Sequence, residues 1–287
     1  MIYQSAADWR AAKNKRVLLF GMSGLGKTHV SGLLRRSGDW FHYSIDYRIG
    51  TRYMGEHIAD NFKREAMKVP LLRDLLMTDS VHITSNITFN NLAPLSTYLA
   101  KPGDPARGGL PFVEYMKRQD QHRTAEIAAL LDTARFADRA QALYGYSHFV
   151  CDSGGSICEV VDPDDPDDPV LTALSRAVLM VWIKGSDAHT EELIRRAVVS
   201  PKPMYYQPDF LRAGWADYLA KAGCAEGEVD PDDFLRWMFA RALHHRQPLY
   251  AAMAENWGVT VTAEDVAKVT SPAGIEALIS DALEARA

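Results

Sequence analysis

After Arg16 the chain runs Val17-Leu18-Leu19-Phe20, four apolar residues in succession, and then turns at Gly21. A short apolar run without alternation predicts a strand buried on both faces. Apolar residues then recur at helical spacing (Val30, Leu33, Leu34), predicting a helix over residues 29–36 that stops at Gly38. Residues 41–45 predict a second strand with Asp46 at its carboxyl end. Further on, residues 56–67 suit a helix and Pro70 opens another, whereas the Ser, Thr and Asn of 84–91 suit a loop. Lys101-Pro102-Gly103-Asp104-Pro105 is a break. A long helix, whole or interrupted, is predicted over residues 112–143, ending before Gly145. Strands come next at 147–151, 177–183 and 259–262, with a helical stretch at 187–245 broken by prolines between 201 and 208, and a closing helix at 272–283. Five strands separated by helices predict an α/β fold: a parallel sheet with right-handed crossovers and helices on both faces.

Composition narrows the field without choosing within it. The 287 residues, 47% hydrophobic and 24% charged, suffice for one large domain or two small ones. With neither an internal repeat nor a linker in view, residues 1–287 are expected to form a single domain. A net charge of −5 argues against nucleic acid as the main partner. Three cysteines (Cys151, Cys158, Cys224) cannot build a disulfide framework, residues 1–16 hold no signal-like apolar core, and the apolar runs are strand-sized. A cytoplasmic protein that does not span a membrane is therefore expected, its oligomeric state left open. The acidic run Asp162 to Pro169 suits a solvated turn, with a cation site as the alternative. His244 and His245 are neighbours that a helix would turn to different faces, a poor start for a metal site.

The most informative chemistry lies in Gly21-Met22-Ser23-Gly24-Leu25-Gly26-Lys27-Thr28, which satisfies the GxxxxGK[ST] spacing between a predicted strand and a predicted helix. Gly21, Gly24 and Gly26 allow the backbone to wrap around phosphate oxygens. Amides of the loop and of the helix start, from Ser23 and Leu25 to His29, would face the anion. Lys27 would reach the terminal phosphates, and the Thr28 hydroxyl would face Mg2+. Such a loop serves transfer, hydrolysis or switching, and the rest of the chain has to distinguish them.

The features after the loop resemble, in order, the shikimate kinase-like branch of small-molecule P-loop kinases. That family follows its loop with a strand ending in Asp-x-Asp, an Arg-x-x-Glu helix, a strand entering a glycine turn, a lid with arginines and an Arg-x-x-x-Tyr helix. This chain has Ser44-Ile45-Asp46, Arg123-Thr124-Ala125-Glu126, Asp152-Ser153-Gly154-Gly155, Val181-Trp182-Ile183 before a lid, and Arg246-Gln247-Pro248-Leu249-Tyr250. The resemblance covers about 200 of the 287 residues.

It implies the three-layer P-loop kinase fold, with ATP and Mg2+ as cofactors and a small-molecule acceptor. On this footing Asp46 holds or deprotonates the acceptor hydroxyl, or else only caps a helix. Arg123, oriented by Glu126, and Arg246 bind an acidic group of the acceptor, and Gly154 and Gly155 border it. Asp152 positions the metal together with Thr28, or caps the next helix. The first family aspartate is replaced by Ser44, which leaves the metal site open beyond Thr28. A lid within residues 187–229 offers Arg195, Arg196 and Lys202 to the nucleotide, Arg196 also to transition-state charge, unless these are solvated helix charges. Tyr205, Tyr206, Phe210 and Trp215 suit lid packing or stacking on a base. Residues 55–110 exceed the compact family and would border the acceptor, so an acceptor larger than shikimate is expected. Three functions fit: a small-molecule kinase, a P-loop ATPase or nucleotide-gated regulator, and a kinase acting on a macromolecule or activated sugar.

Overall fold

Near-continuous apolar strands need cover on both faces, and the chain supplies it with parallel pairing and helical crossovers. The computed structural model describes residues 1–286. Its strands are β1 (Arg16–Phe20), β2 (Trp40–Ser44), β3 (His148–Asp152), β4 (Leu179–Lys184) and β5 (Gly258–Thr262). They form one five-stranded sheet in the order β2-β3-β1-β4-β5, every pair parallel. Val17, Leu18, Leu19 and Phe20 are buried to the last residue, as are Leu179 to Ile183. The α/β class with a parallel sheet between helices is therefore realised.

The chain divides into two compact units. The first comprises Met1–Ile45, Ile127–Pro201 and everything from Arg236 onward, and it holds the whole sheet. Its helices are α1 (Ala6–Ala11), α2 (Lys27–Arg36), the later part of α7 (Phe112–Tyr144), α8 (Pro169–Ala177), α9 (Asp187–Val199), most of α11 (Pro231–Trp257), α12 (Ala263–Lys268) and α13 (Pro272–Arg286). Tyr43 on β2 donates to the Ala129 carbonyl at 2.8 Å and stacks on Phe136, which ties β2 to α7. Trp9 of α1 is buried and donates to the Glu276 carbonyl of α13 at 2.9 Å.

The second unit comprises Asp46–Glu126 and Lys202–Leu235. It contains most of α3 (Ile45–Arg48), a π-helical turn at Ile49–Tyr53, α4 (Gly55–Ala66), α5 (Pro70–Met77), α6 (Ala93–Leu99) and α10 (Pro208–Ala222). The first part of α7 completes its core. Phe112 stacks on Trp215 at 4.5 Å, and Phe234 meets the Trp215 ring edge-on at 5.0 Å. Arg118 lies over the Tyr98 ring and donates to the Tyr98 carbonyl.

Several element bounds differ from the sequence expectation. β2 ends at Ser44, because Ile45 already starts α3; Asp46 sits in the first turn of that helix rather than at the strand end. Ala177 closes α8 and does not begin β4; both neighbours of that junction are apolar, so the pattern hides it. α7 is uninterrupted over 33 residues. α11 carries Pro248 inside its 27 residues, although a proline removes one ladder donor. The aspartates of the 162–169 loop cap backbone amides of their own turn: Asp168 Oδ1 accepts from Val170 and Leu171, and Asp162 Oδ1 accepts from Asp164.

Candidate functional site

The loop between β1 and α2 lies at the carboxyl end of a parallel sheet. The crossover leaving β1 runs toward β2, whereas that leaving neighbouring β4 runs toward β5. Open α/β sheets bind ligands at such a reversal. Gly21 opens the loop at φ +133°, and a Cβ there would stand 2.7 Å from the Ile183 carbonyl oxygen. Only glycine meets both demands. Gly26, also left-handed, precedes α2, so the first-turn amides of a ten-residue helix point out of the loop with the positive end of its dipole.

Lys27 is buried at 7% exposure, unusual for a lysine, and its ammonium donates to the carbonyls of Gly21 at 2.8 Å and Met22 at 2.9 Å. Thr28 donates its hydroxyl to Asp152 Oδ2 at 3.1 Å. Asp152 is the last residue of β3, in register with Ser44 on β2 and Leu19 on β1. Burial raises its carboxyl above the usual range, and the Lys27 charge and the Thr28 hydroxyl pull it back. His42, unremarked in sequence, places Nε2 3.9 Å from the same carboxylate oxygen. Burial and the Arg35 charge lower it to about 4, so the ring is uncharged at neutral pH. The hard oxygens of Thr28 and Asp152 are a donor pair that fits Mg2+.

The turn after β3 faces the loop. A Cβ on Gly155 would lie 3.3 Å from Ser23 Oγ and 3.7 Å from an Arg246 guanidinium nitrogen. Arg246 is buried, and its Nε donates to Glu159 Oε1 at 2.5 Å. Burial opposes its charge, but the Glu159 carboxylate outweighs that and holds the guanidinium protonated beyond its ordinary range. No spacing rule links residues 87 apart, so Glu159 left no sequence signal.

α9 approaches the loop from the lid segment: Leu193 stands 3.3 Å from where a Gly24 Cβ would be. Arg195 and Arg196 on the same helix are exposed and both bond Glu192, at 2.8 and 2.7 Å. In the second unit, Arg123 is half-buried on α7, and Glu126, fully buried, lies with Oε2 3.6 Å from His122 Nδ1. The His122 ring stacks on Tyr205, and Tyr205 and Tyr206 are both buried. Lys27, Thr28, Asp152, Gly154 and Gly155 thus belong to one unit with Arg195, Arg196 and Arg246, whereas Asp46, Arg123 and Glu126 belong to the other.

No protein-family model matches the chain, and no curated protein matches it. Among solved structures it is similar to a shikimate kinase from Bacteroides thetaiotaomicron, with 16% identity, 94% of this chain and 97% of that one covered, and a TM-score of 0.40.

Proposed function

We propose that the chain is a nucleoside-triphosphate-dependent phosphotransferase acting on a hydroxyl of a small molecule. The observation that supports the nucleotide half of this reading is the loop at residues 21–28. It joins a buried parallel strand to a helix start, holds a buried lysine over its own carbonyls, and sets a threonine hydroxyl on the carboxylate ending the neighbouring strand.

In this reading the amides from Ser23 to His29 and the Lys27 ammonium receive the phosphates of ATP. Thr28 and Asp152 would hold Mg2+, which would supply neutralisation of phosphate charge. Arg195 and Arg196 cover the nucleotide from α9. Asp46 accepts the proton of the acceptor hydroxyl, while that oxygen bonds to the terminal phosphorus and the bond to the nucleotide's bridging oxygen breaks. Arg123, beside Glu126, offers a guanidinium fork to an acidic group on the acceptor. Little covalent help is needed, so alignment and charge complementarity carry the rate.

The hydrolase alternative needs a side chain beside Asp152 that orients water. Ser153 is the next residue, but its hydroxyl is buried and donates to the Leu19 carbonyl at 2.9 Å. That commitment favours transfer.

Asp46→Asn tests the acceptor side. It keeps shape and removes the base, so nucleotide affinity is expected to stay within about twofold while transfer falls by roughly 10²–10⁴-fold. Transfer at the wild-type rate would remove Asp46 from the reaction.

A further inference from the structure

One face of α11 touches both walls of the phosphate loop. Tyr250 is fully buried, and its hydroxyl donates to the Gly155 carbonyl of the glycine turn. Its ring packs on Phe20, the residue before Gly21, and on Trp182. Trp182 in turn lies 3.2 Å from where a Gly21 Cβ would be. One turn back, Gln247 donates its amide to Met22 Sδ at 3.1 Å and approaches Thr190 Oγ1 of α9 at 3.5 Å. Met22 is the residue whose carbonyl accepts from Lys27. Arg246, in the same stretch, is bonded to Glu159, the last residue of the short 3-10 helix (Ile157–Glu159) that follows the glycine turn. Three neighbouring side chains therefore hold the loop at Met22, its root at Phe20, and the turn opposite Ser23.

We infer that Tyr250 and Gln247 are positioning residues for the phosphate loop, and that Arg246 fixes the facing turn rather than touching the acceptor. The inference rests on the loop binding a nucleotide, as proposed above. Physically, a flexible glycine loop gains nothing from its amides unless their directions are set before the anion arrives. The loop's own glycines do not set them. Contacts at Met22 and Gly155 do: the first removes freedom from a loop whose left-handed glycines would otherwise sample other conformations, and the second fixes the turn that faces it. α11 supplies those contacts with side chains that reach no reacting atom.

The test uses the full chain with Tyr250→Phe and Gln247→Leu, each read in two ways. Amide hydrogen exchange over residues 21–26 and 153–156 is expected to quicken about tenfold in each variant, the equivalent of one lost hydrogen bond, while the strands of the sheet keep their protection. A non-hydrolysable ATP analogue with magnesium is expected to bind about tenfold more weakly. The thermal midpoint separates positioning from unfolding, and Gln247→Leu decides if Tyr250→Phe does not fold. Unchanged exchange in both variants overturns the inference, as does quickened exchange with unchanged analogue affinity. If wild-type protein binds no analogue, the nucleotide reading fails instead, and exchange alone still decides whether α11 holds the loop.

Discussion

Lys27→Met is expected to lower phosphate transfer by about 10³-fold or more, the scale of removing a preorganised charge from a phosphoryl-transfer site. It is also expected to weaken nucleotide binding. Methionine keeps the apolar stem that fills the space beneath the loop, so the loss falls on the ammonium. That group is buried, donates to two loop carbonyls, and holds the Asp152 carboxyl down against its burial. Arginine is expected not to rescue it, because a planar fork cannot replace a point charge between the Gly21 and Met22 carbonyls. A thermal midpoint near wild type shows that chemistry, not folding, was lost. Transfer within tenfold of wild type would show that the loop does not handle the phosphates.

Glu159→Gln is expected to have the largest effect on stability. It leaves the buried Arg246 guanidinium without its carboxylate, and breaking one side of a buried ion pair costs about 3–5 kcal/mol. At about 2–4 °C per kcal/mol for a large domain, the thermal midpoint should fall by roughly 6–20 °C. The pair joins the short helix after the glycine turn to α11, with 0% side-chain exposure for Glu159 and 6% for Arg246, so water cannot take over the lost bond. Combining Glu159→Leu with Arg246→Met should recover much of the loss, because an apolar pair needs no charge partner. A fall in midpoint below 2 °C for Glu159→Gln would mean that the pair is not the brace the geometry indicates.

Legibility in the sequence tracks the physical range of each interaction. The β1 run and the loop after it were legible because burial on both faces and a glycine-rich turn leave local patterns: Val17 to Phe20, then Gly21 to Thr28. Asp152 at the end of β3 was legible for the same reason. Junctions between two apolar elements were not, which is why Ala177 belongs to a helix and Asp46 to the first turn of α3. The helical pattern fades before Pro248, yet α11 continues through it, anchored on either side by Arg246 and Tyr250. Three boundaries of the two-unit division, at 45/46, 126/127 and 235/236, fall inside α3, α7 and α11 and left no linker composition; the fourth, at 201/202, falls among the prolines after α9. Glu159, His42 and Gln247 matter through partners far away in sequence, and no periodicity reports such pairs.

The most direct measurement tracks ADP, inorganic phosphate and phosphate ester together, with ATP, magnesium and fractionated small-molecule extract. Phosphotransfer predicts ADP formation near background without extract, a sharp rise with one fraction, and ester formed in step with ADP. ADP matched entirely by inorganic phosphate, and indifferent to every fraction, would contradict it.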